Sequence, residues 1–269
     1  MSRYVTARAA STLAERLSER DLLVLHHVAT LRFVSGSQLA RLCYADGDDP
    51  KANARSARRA LLRLTRLGVL ERLPRTIGGV RAGSAGFVYR LGLSGQRLAV
   101  LKGWQPDRQR RRSQVPGLLF LHHTLAIAEL HTRLMECERS GRVELLALDA
   151  EPSCHRINDG LGGQRVNLKP DSYVRLGLGP YEDSYFIEVD NGTEGSRALS
   201  EQLERYVAHY QTGQEQTTHG VFPKVLWLTN TTDRARVIAE CVAHLPADAR
   251  ALFAVAEFDQ ALQIMLEPV

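Results

Sequence analysis

The chain has 269 residues, 44% of them hydrophobic and 24% charged, with 35 Lys and Arg against 30 Asp and Glu. That composition excludes wholesale disorder and allows two ordinary globular cores. The longest uncharged run, Ser113–Ala128, is broken by Pro116, Gly117 and two histidines, too short and too polar to span a bilayer.

Residues 1–17 hold no continuous apolar core, so no secretory signal is expected. Cys43, Cys137, Cys154 and Cys241 lie far apart with no Cys-x-x-Cys, which argues against a zinc ribbon, a redox motif or a disulfide framework. A reducing, cytoplasmic setting without membrane contact is expected. The net charge of +5 hides a split: residues 1–115 carry 22 basic and 8 acidic side chains, whereas residues 116–269 carry 13 and 22. The basic half suits a polyanion, and the break in charge suggests two domains.

In chain order, Ser18-Glu19-Arg20-Asp21 has the form of a capping box and predicts a helix over 18–31. Ser35-x-x-Gln38 is a second, starting a short helix to about Tyr44. An acidic turn, Asp46–Pro50, precedes a third helix over 52–67. On a helical wheel Ala57, Ala60, Leu61, Leu64 and Leu67 share one side. Arg55, Arg59, Arg63 and Arg66 fall opposite within an arc of about 80°, with Arg58 at its edge and Leu62 as the exception. Gly68 ends this helix. Val69–Leu73 and Phe87–Leu91 read as strands of a hairpin whose tip, Arg75 to Gly83, is glycine-rich and basic through Arg75 and Arg81.

Three helices and a basic hairpin make the winged-helix order, in which the third helix enters the major groove of duplex DNA. The bland alternative is an arginine stripe that is only a solvated face. A short helix over 94–101 closes the domain. Arg108-Gln109-Arg110-Arg111-Arg112 then marks a basic linker.

In the second half, Leu118–Arg139 predicts a helix. Strands are expected at 143–148, 166–178, 184–190, 224–228 and 252–257, with helices at 197–211 and 233–244. This order gives a mixed sheet with helices on its faces. Glu188 and Asp190 are two apart on a strand and so face the same side of the sheet. With Asp171 they form a set of carboxylates suited to Mg2+ or Mn2+, which could activate water against a phosphodiester. The alternative role for these acids is capping of strand ends or pairing with arginines such as Arg197 and Arg205. His122, His123 and His131 lack metal-ligand spacing, and Gly160-x-Gly162-Gly163 lacks a Walker lysine.

Pro170-Asp171 followed by Glu188-Val189-Asp190 resembles the PD-(D/E)xK nuclease superfamily. Gln202-Leu203-Glu204-Arg205-Tyr206 resembles the Gln-x-x-x-Tyr helix of its exonuclease branch, and Glu129 is similar to an acid sometimes supplied by the preceding helix. The resemblance implies catalytic roles for Asp171, Glu188, Asp190, Gln202 and Tyr206 and metal binding by the three acids. Asp190 stands where the superfamily has its lysine.

The whole arrangement, with Glu188-Val189-Asp190-Asn191-Gly192-Thr193-Glu194 and Leu17–Asp21, resembles the replication-relaxation family of plasmids and other mobile elements, over roughly residues 17–230. It implies an α+β chain. An N-terminal arm (1–16) leads to a winged-helix domain (17–101) and a basic linker (102–117). A mixed-sheet domain resembling restriction endonucleases (118–269) follows. The expected ligand is double-stranded DNA, with Arg55, Arg58, Arg59, Arg63, Arg66, Arg75 and Arg81 as contacts. The expected role is in replication, relaxation or mobilisation, alongside a replication initiator or relaxase, with a homodimer as one arrangement. Two other readings stay open: an active metal-dependent nuclease, and a transcriptional regulator with a degenerate sensing or dimerisation domain.

Overall fold

The fold is taken from a computed structural model that describes residues 5–74, 86–105, 116–159 and 165–267. By its internal contacts the chain divides into two units, residues 1–132 and 133–269. The division falls within a helix rather than in the 102–117 segment. Residues 106–115, which include the expected linker arginines, lie outside the described residues.

Unit 1 begins with α1 (Ala7–Ala14), capped by the Thr6 side chain, in the stretch expected to be an arm. Its alanines let it lie close on a neighbouring helix, and Ala10 is fully buried. Helix α2 (Glu19–Leu31) opens on the expected capping box: Ser18 accepts from the Asp21 amide, and Asp21 accepts from the Ser18 amide. A short strand β1 (Val34–Ser35) leads into α3 (Gly36–Cys43), whose capping box pairs Ser35 with Gln38.

Helix α4 (Pro50–Arg66) starts at Asp49, with Pro50 in the first turn where its missing N–H costs nothing. It ends at Gly68, whose φ of +69° only glycine adopts without strain. There the Val69 amide reaches back to the Leu64 carbonyl at 3.0 Å, and the Gly68 amide to Thr65.

Strands β2 (Leu70–Arg72) and β3 (Val88–Leu91) pair antiparallel, and β1 joins the far side of β3 in a three-stranded sheet. Helix α5 (Leu93–Leu101) follows. A Cβ on Gly95 would lie 2.1 Å from the Val69 carbonyl oxygen, so α5 can sit this close to the hairpin only with glycine there. Val24, Leu25, Val28, Leu39, Leu61, Leu64, Leu70 and Leu98 are buried in the core of this unit.

Helix α6 (Leu118–Arg139) contains the division between the units. In unit 2, strands β4 (Glu144–Ala150), β7 (Ser172–Leu178), β8 (Tyr181–Asp190), β9 (Lys224–Thr229) and β10 (Phe253–Glu257) form one sheet in the order β10-β9-β8-β7-β4. The three strands β8, β9 and β10 run parallel, and β4, β7 and β8 pair antiparallel.

Two helices cross between the parallel strands: α7 (Ser196–Gln211) after β8 and α9 (Thr232–Ala243) after β9. The short α8 (Gln214–His219), α10 (Ala247–Arg250) and α11 (Ala261–Leu266) complete the unit. Leu199, Leu203 and Tyr206 of α7 and Ile238 of α9 pack on Phe186, Val225, Trp227 and Phe253 of the sheet. The mixed sheet is the α+β architecture expected from the sequence.

The strand expected over 166–178 is two strands. A separate hairpin, β5 (Arg156–Asp159) with β6 (Arg165–Leu168), ends before Pro170, and β7 begins after Asp171. Proline has no N–H to give a ladder, so the chain leaves one sheet and enters another across Lys169-Pro170-Asp171.

Candidate functional site

The acids of unit 2 gather where the ladder between β7 and β8 runs out. Ser172 pairs with Ile187, so Asp171 sits one step beyond β7 beside Glu188. Its backbone amide continues the ladder to the Ile187 carbonyl at 3.0 Å, and its Oδ2 accepts from the Val189 amide at 2.7 Å. Asp171 and Glu188 are both buried.

Phe186, Glu188 and Asp190 share one face of β8, as the two-residue period of a strand requires. Helix α7 covers the first two of them. The Tyr206 hydroxyl donates to Glu188 Oε1 at 2.5 Å, and the Gln202 side chain also hydrogen-bonds that carboxyl. Residues 202 and 206 are one turn apart, so both reach the same acid. Burial, then the neighbouring Asp171 charge, pushes the Glu188 carboxyl well above its ordinary range, and the bonds from Tyr206 and Gln202 only partly offset this. Burial and the Glu188 charge raise Tyr206 in turn, which keeps it a donor.

The structure thus brings Asp171, Glu188, Gln202 and Tyr206 together. Asp190 is held differently: Arg234, in the first turn of α9, grips it with Nε to Oδ1 and Nη2 to Oδ2, both at 2.7 Å. Arg197, one of the arginines considered as a partner, pairs instead with Glu201 at 3.0 Å. No signal in the sequence pointed to Arg234. It lies 44 positions beyond Asp190 and reaches it only because β9 pairs with β8 in parallel, Asp190 opposite Thr229.

A second buried network fixes the far end of α7. Glu215 of α8 accepts from Arg156 at 2.8 Å and faces His209 at 3.1 Å, while Arg156 lies over the rings of Tyr173 and Phe186.

Among the described residues, no group of three or more His, Cys, Asp or Glu side chains is placed to hold a metal ion. The donor set nearest to one is Asp171 with Glu188, since Asp190 is committed to Arg234. Two carboxylates can hold Mg2+ when substrate oxygens and waters complete the octahedron. Two adjacent buried acids, one of them driven toward its neutral form, are also charge that a divalent cation would relieve.

Glu129 is engaged elsewhere. In unit 1 its carboxylate takes two bonds from Arg41 Nη1, at 2.8 and 2.9 Å, and one from Gln38, at 3.2 Å. That pins α6 to α3.

On α4, Arg55, Arg58, Arg59, Arg63 and Arg66 are all exposed, but they are not equivalent. Arg63 Nη2 donates to Asp21 Oδ1 at 2.5 Å. Burial alone would raise the Asp21 carboxyl, yet the bonds from Arg63 and Ser18 outweigh it and hold it below its ordinary value. Arg55 lies 3.7 Å from Asp49, and Arg59 makes a 3.5 Å contact with Ser56. Arg58 and Arg66 border an open cleft of about 780 Å³, together with Leu62, Arg72, Phe87 and Tyr89. The exposed Leu62, the exception on the helical wheel, is a wall of that cleft. Arg75 and Arg81 lie outside the described residues.

A basic helix beside an antiparallel hairpin, and a mixed sheet with paired acids at a strand end, define an α+β protein of two dissimilar units. The chain belongs to the replication-relaxation family, whose model matches residues 25–225. No curated protein and no solved structure matches it. Among the described residues no helix is long and apolar enough to cross a membrane.

Proposed function

We propose that the protein binds double-stranded DNA through unit 1 and acts in the replication, relaxation or mobilisation of a plasmid or other mobile element. The observation that carries this is the outward face of α4. Arg55, Arg58, Arg59 and Arg66 stand exposed on α4, beside the β2–β3 hairpin. Guanidinium groups at this spacing suit phosphates and guanine edges, and α4 is long enough to lie in a major groove.

The test is fluorescence anisotropy with duplex DNA over a range of salt. Affinity is expected to fall steeply with salt, with a slope of about 0.9 per phosphate contact. The double variant Arg58→Glu/Arg59→Glu should bind more weakly and with a flatter slope. Unchanged affinity and slope would remove α4 from the interface.

The position of Asp171 beside Glu188, with Gln202 and Tyr206 on the latter's carboxyl, favours a second reading, metal-dependent cleavage of DNA. Asp171 and Glu188 would hold Mg2+ or Mn2+, which when bound would supply Lewis acidity at a phosphodiester. Gln202 and Tyr206 orient the Glu188 carboxyl, and Asp171 is fixed by the Val189 amide. Nicking of supercoiled DNA that needs Mg2+ or Mn2+ and vanishes in Asp171→Ala and Glu188→Ala supports this reading. Absence of cleavage on duplex, nicked and single-stranded substrates rejects it.

A further inference from the structure

The C-terminal ends of β8, β9 and β10 are level: Asp190 pairs with Thr229, and Thr229 with Glu257. In open sheets with parallel strands, ligands favour this edge. Its character here is acidic, with Asp171 and Glu194 both close enough to act on Glu188. An anionic ligand would be repelled unless a cationic donor met it, and Arg234 stands at that edge. The Asp190 carboxylate takes Nε and Nη2, the Glu194 carbonyl takes a second bond from Nη2 at 2.8 Å, and Asp190 Oδ1 is itself held by the Gly192 amide at 2.6 Å.

Three bonds thus fix two nitrogens of the guanidinium. The third, Nη1, has no hydrogen-bond partner among the described residues, and the side chain retains 15% exposure. A planar guanidinium clamped along one edge presents the other at fixed geometry, with its rotamer entropy already spent.

We propose that Arg234 is an anion-binding residue whose open Nη1 edge donates to a phosphodiester oxygen of a nucleic-acid strand laid across the strand ends toward Asp171 and Glu188. Asp190 is then the positioning residue that aims this guanidinium. It stands about two strand rises, roughly 7 Å, along β8 from Glu188. The Asp190 charge lies on the clamped side, so the donors facing outward are directional rather than a diffuse positive field. The inference rests on the reading of this protein as one that handles DNA, but not on the α4 interface, and it holds whether or not the strand is cut.

The test uses the full chain carrying Arg58→Glu/Arg59→Glu, so that α4 does not compete, with 5′-phosphorylated trithymidylate as the probe. The Arg234 Nε–Hε signal, identified by its loss in Arg234→Lys, is followed by NMR. It is expected to shift progressively with trithymidylate and to saturate at least tenfold earlier than with inorganic phosphate. Asp190→Asn, which loosens the clamp, should weaken that response several-fold. A signal that does not move with trithymidylate overturns the proposal, as does equal affinity for inorganic phosphate, which would make this a free-anion site.

Failure of the α4 reading would appear in the anisotropy experiment alone, and failure of this one in the Arg234 signal alone.

Discussion

Arg63 on α4 and Asp21 on α2 form a hydrogen-bonded ion pair, Nη2 to Oδ1 at 2.5 Å, in which the acid is buried and the base is half-exposed. The same carboxylate closes the capping box of α2 through its other oxygen. The arginine therefore holds α4 against α2, and its guanidinium is not equivalent to its neighbours along the stripe.

Arg63→Ala should cost stability, because it strands a buried carboxylate: about 1–3 kcal/mol by urea denaturation. Arg59→Ala, on the exposed face, should stay within about 0.5 kcal/mol. The order reverses for duplex affinity, where Arg59→Glu should have the larger effect. Equal stability losses at the two positions would show that the Asp21 pair does not anchor α4.

Glu129→Ala should destabilise unit 1 by about 1–3 kcal/mol, since the Arg41 guanidinium loses a carboxylate and Gln38 loses one of its two acceptors. It should leave any metal-dependent cleavage intact. Loss of cleavage with full stability would restore Glu129 to the site at the strand ends.

His131 is buried on α6, and burial, with His27 nearby, pushes its imidazole down to about 3. The unfolded chain binds the proton near the ordinary value of 6.5, so on acidification the unfolded state gains the proton first. The folded state is thus penalised progressively as pH falls from 6.5 toward 3, and not above that window. Chemical denaturation at pH 7 and pH 5 should show a smaller drop in His131→Leu than in the unaltered protein. An identical drop would mean that this imidazole does not carry the acid limb.

Tyr206→Phe keeps the ring that packs against Phe186 and Phe253 but removes the donor to Glu188. The buried carboxyl retains Gln202, so a loss of about 1–3 kcal/mol is expected, read as a lower Tm. No change in Tm would mean that the Tyr206 hydroxyl contributes nothing net to holding Glu188.

Thiol reactivity gives an independent check on unit 2. Cys154 is fully buried, donates to the Pro170 carbonyl at 3.0 Å, and has its pKa raised by burial and by Glu151 and Asp171. Cys241 is partly exposed. In native protein a thiol reagent should modify Cys241 well before Cys154, and fast labelling of Cys154 would mean that the Pro170-Asp171 segment opens readily.

Much of the fold was legible because its signals are local. Capping boxes at Ser18 and Ser35, the glycine stop at 68 and the apolar stripe of α4 act within one or two turns, and the elements begin and end where they dictate. The strand alternation that places Glu188 and Asp190 on one face is likewise a property of successive residues. What escaped was of two kinds. The strands β6 and β7 read as one because only their pairing partners separate them, and β5 was not read at all. The helices α1 and α8 have only 8 and 6 residues, too short to be stable by propensity alone, so packing holds them.

The sequence by itself determined the polar inventory: a stripe of arginines on one helix, three carboxylates, two of them two apart on one strand, and a Gln and a Tyr one turn apart. Tertiary structure decided what each is for. Strand pairing brought Asp171 beside Glu188, and the packing of α7 gave Glu188 its donors. The parallel step from β8 to β9 delivered Arg234 to Asp190, and the packing of α4 against α2 gave Arg63 to Asp21. The physical reason is range. Helix caps and strand periods are fixed by neighbours in the chain, but a buried charge must find its partner across the fold, and sequence separation carries no record of which partner that is.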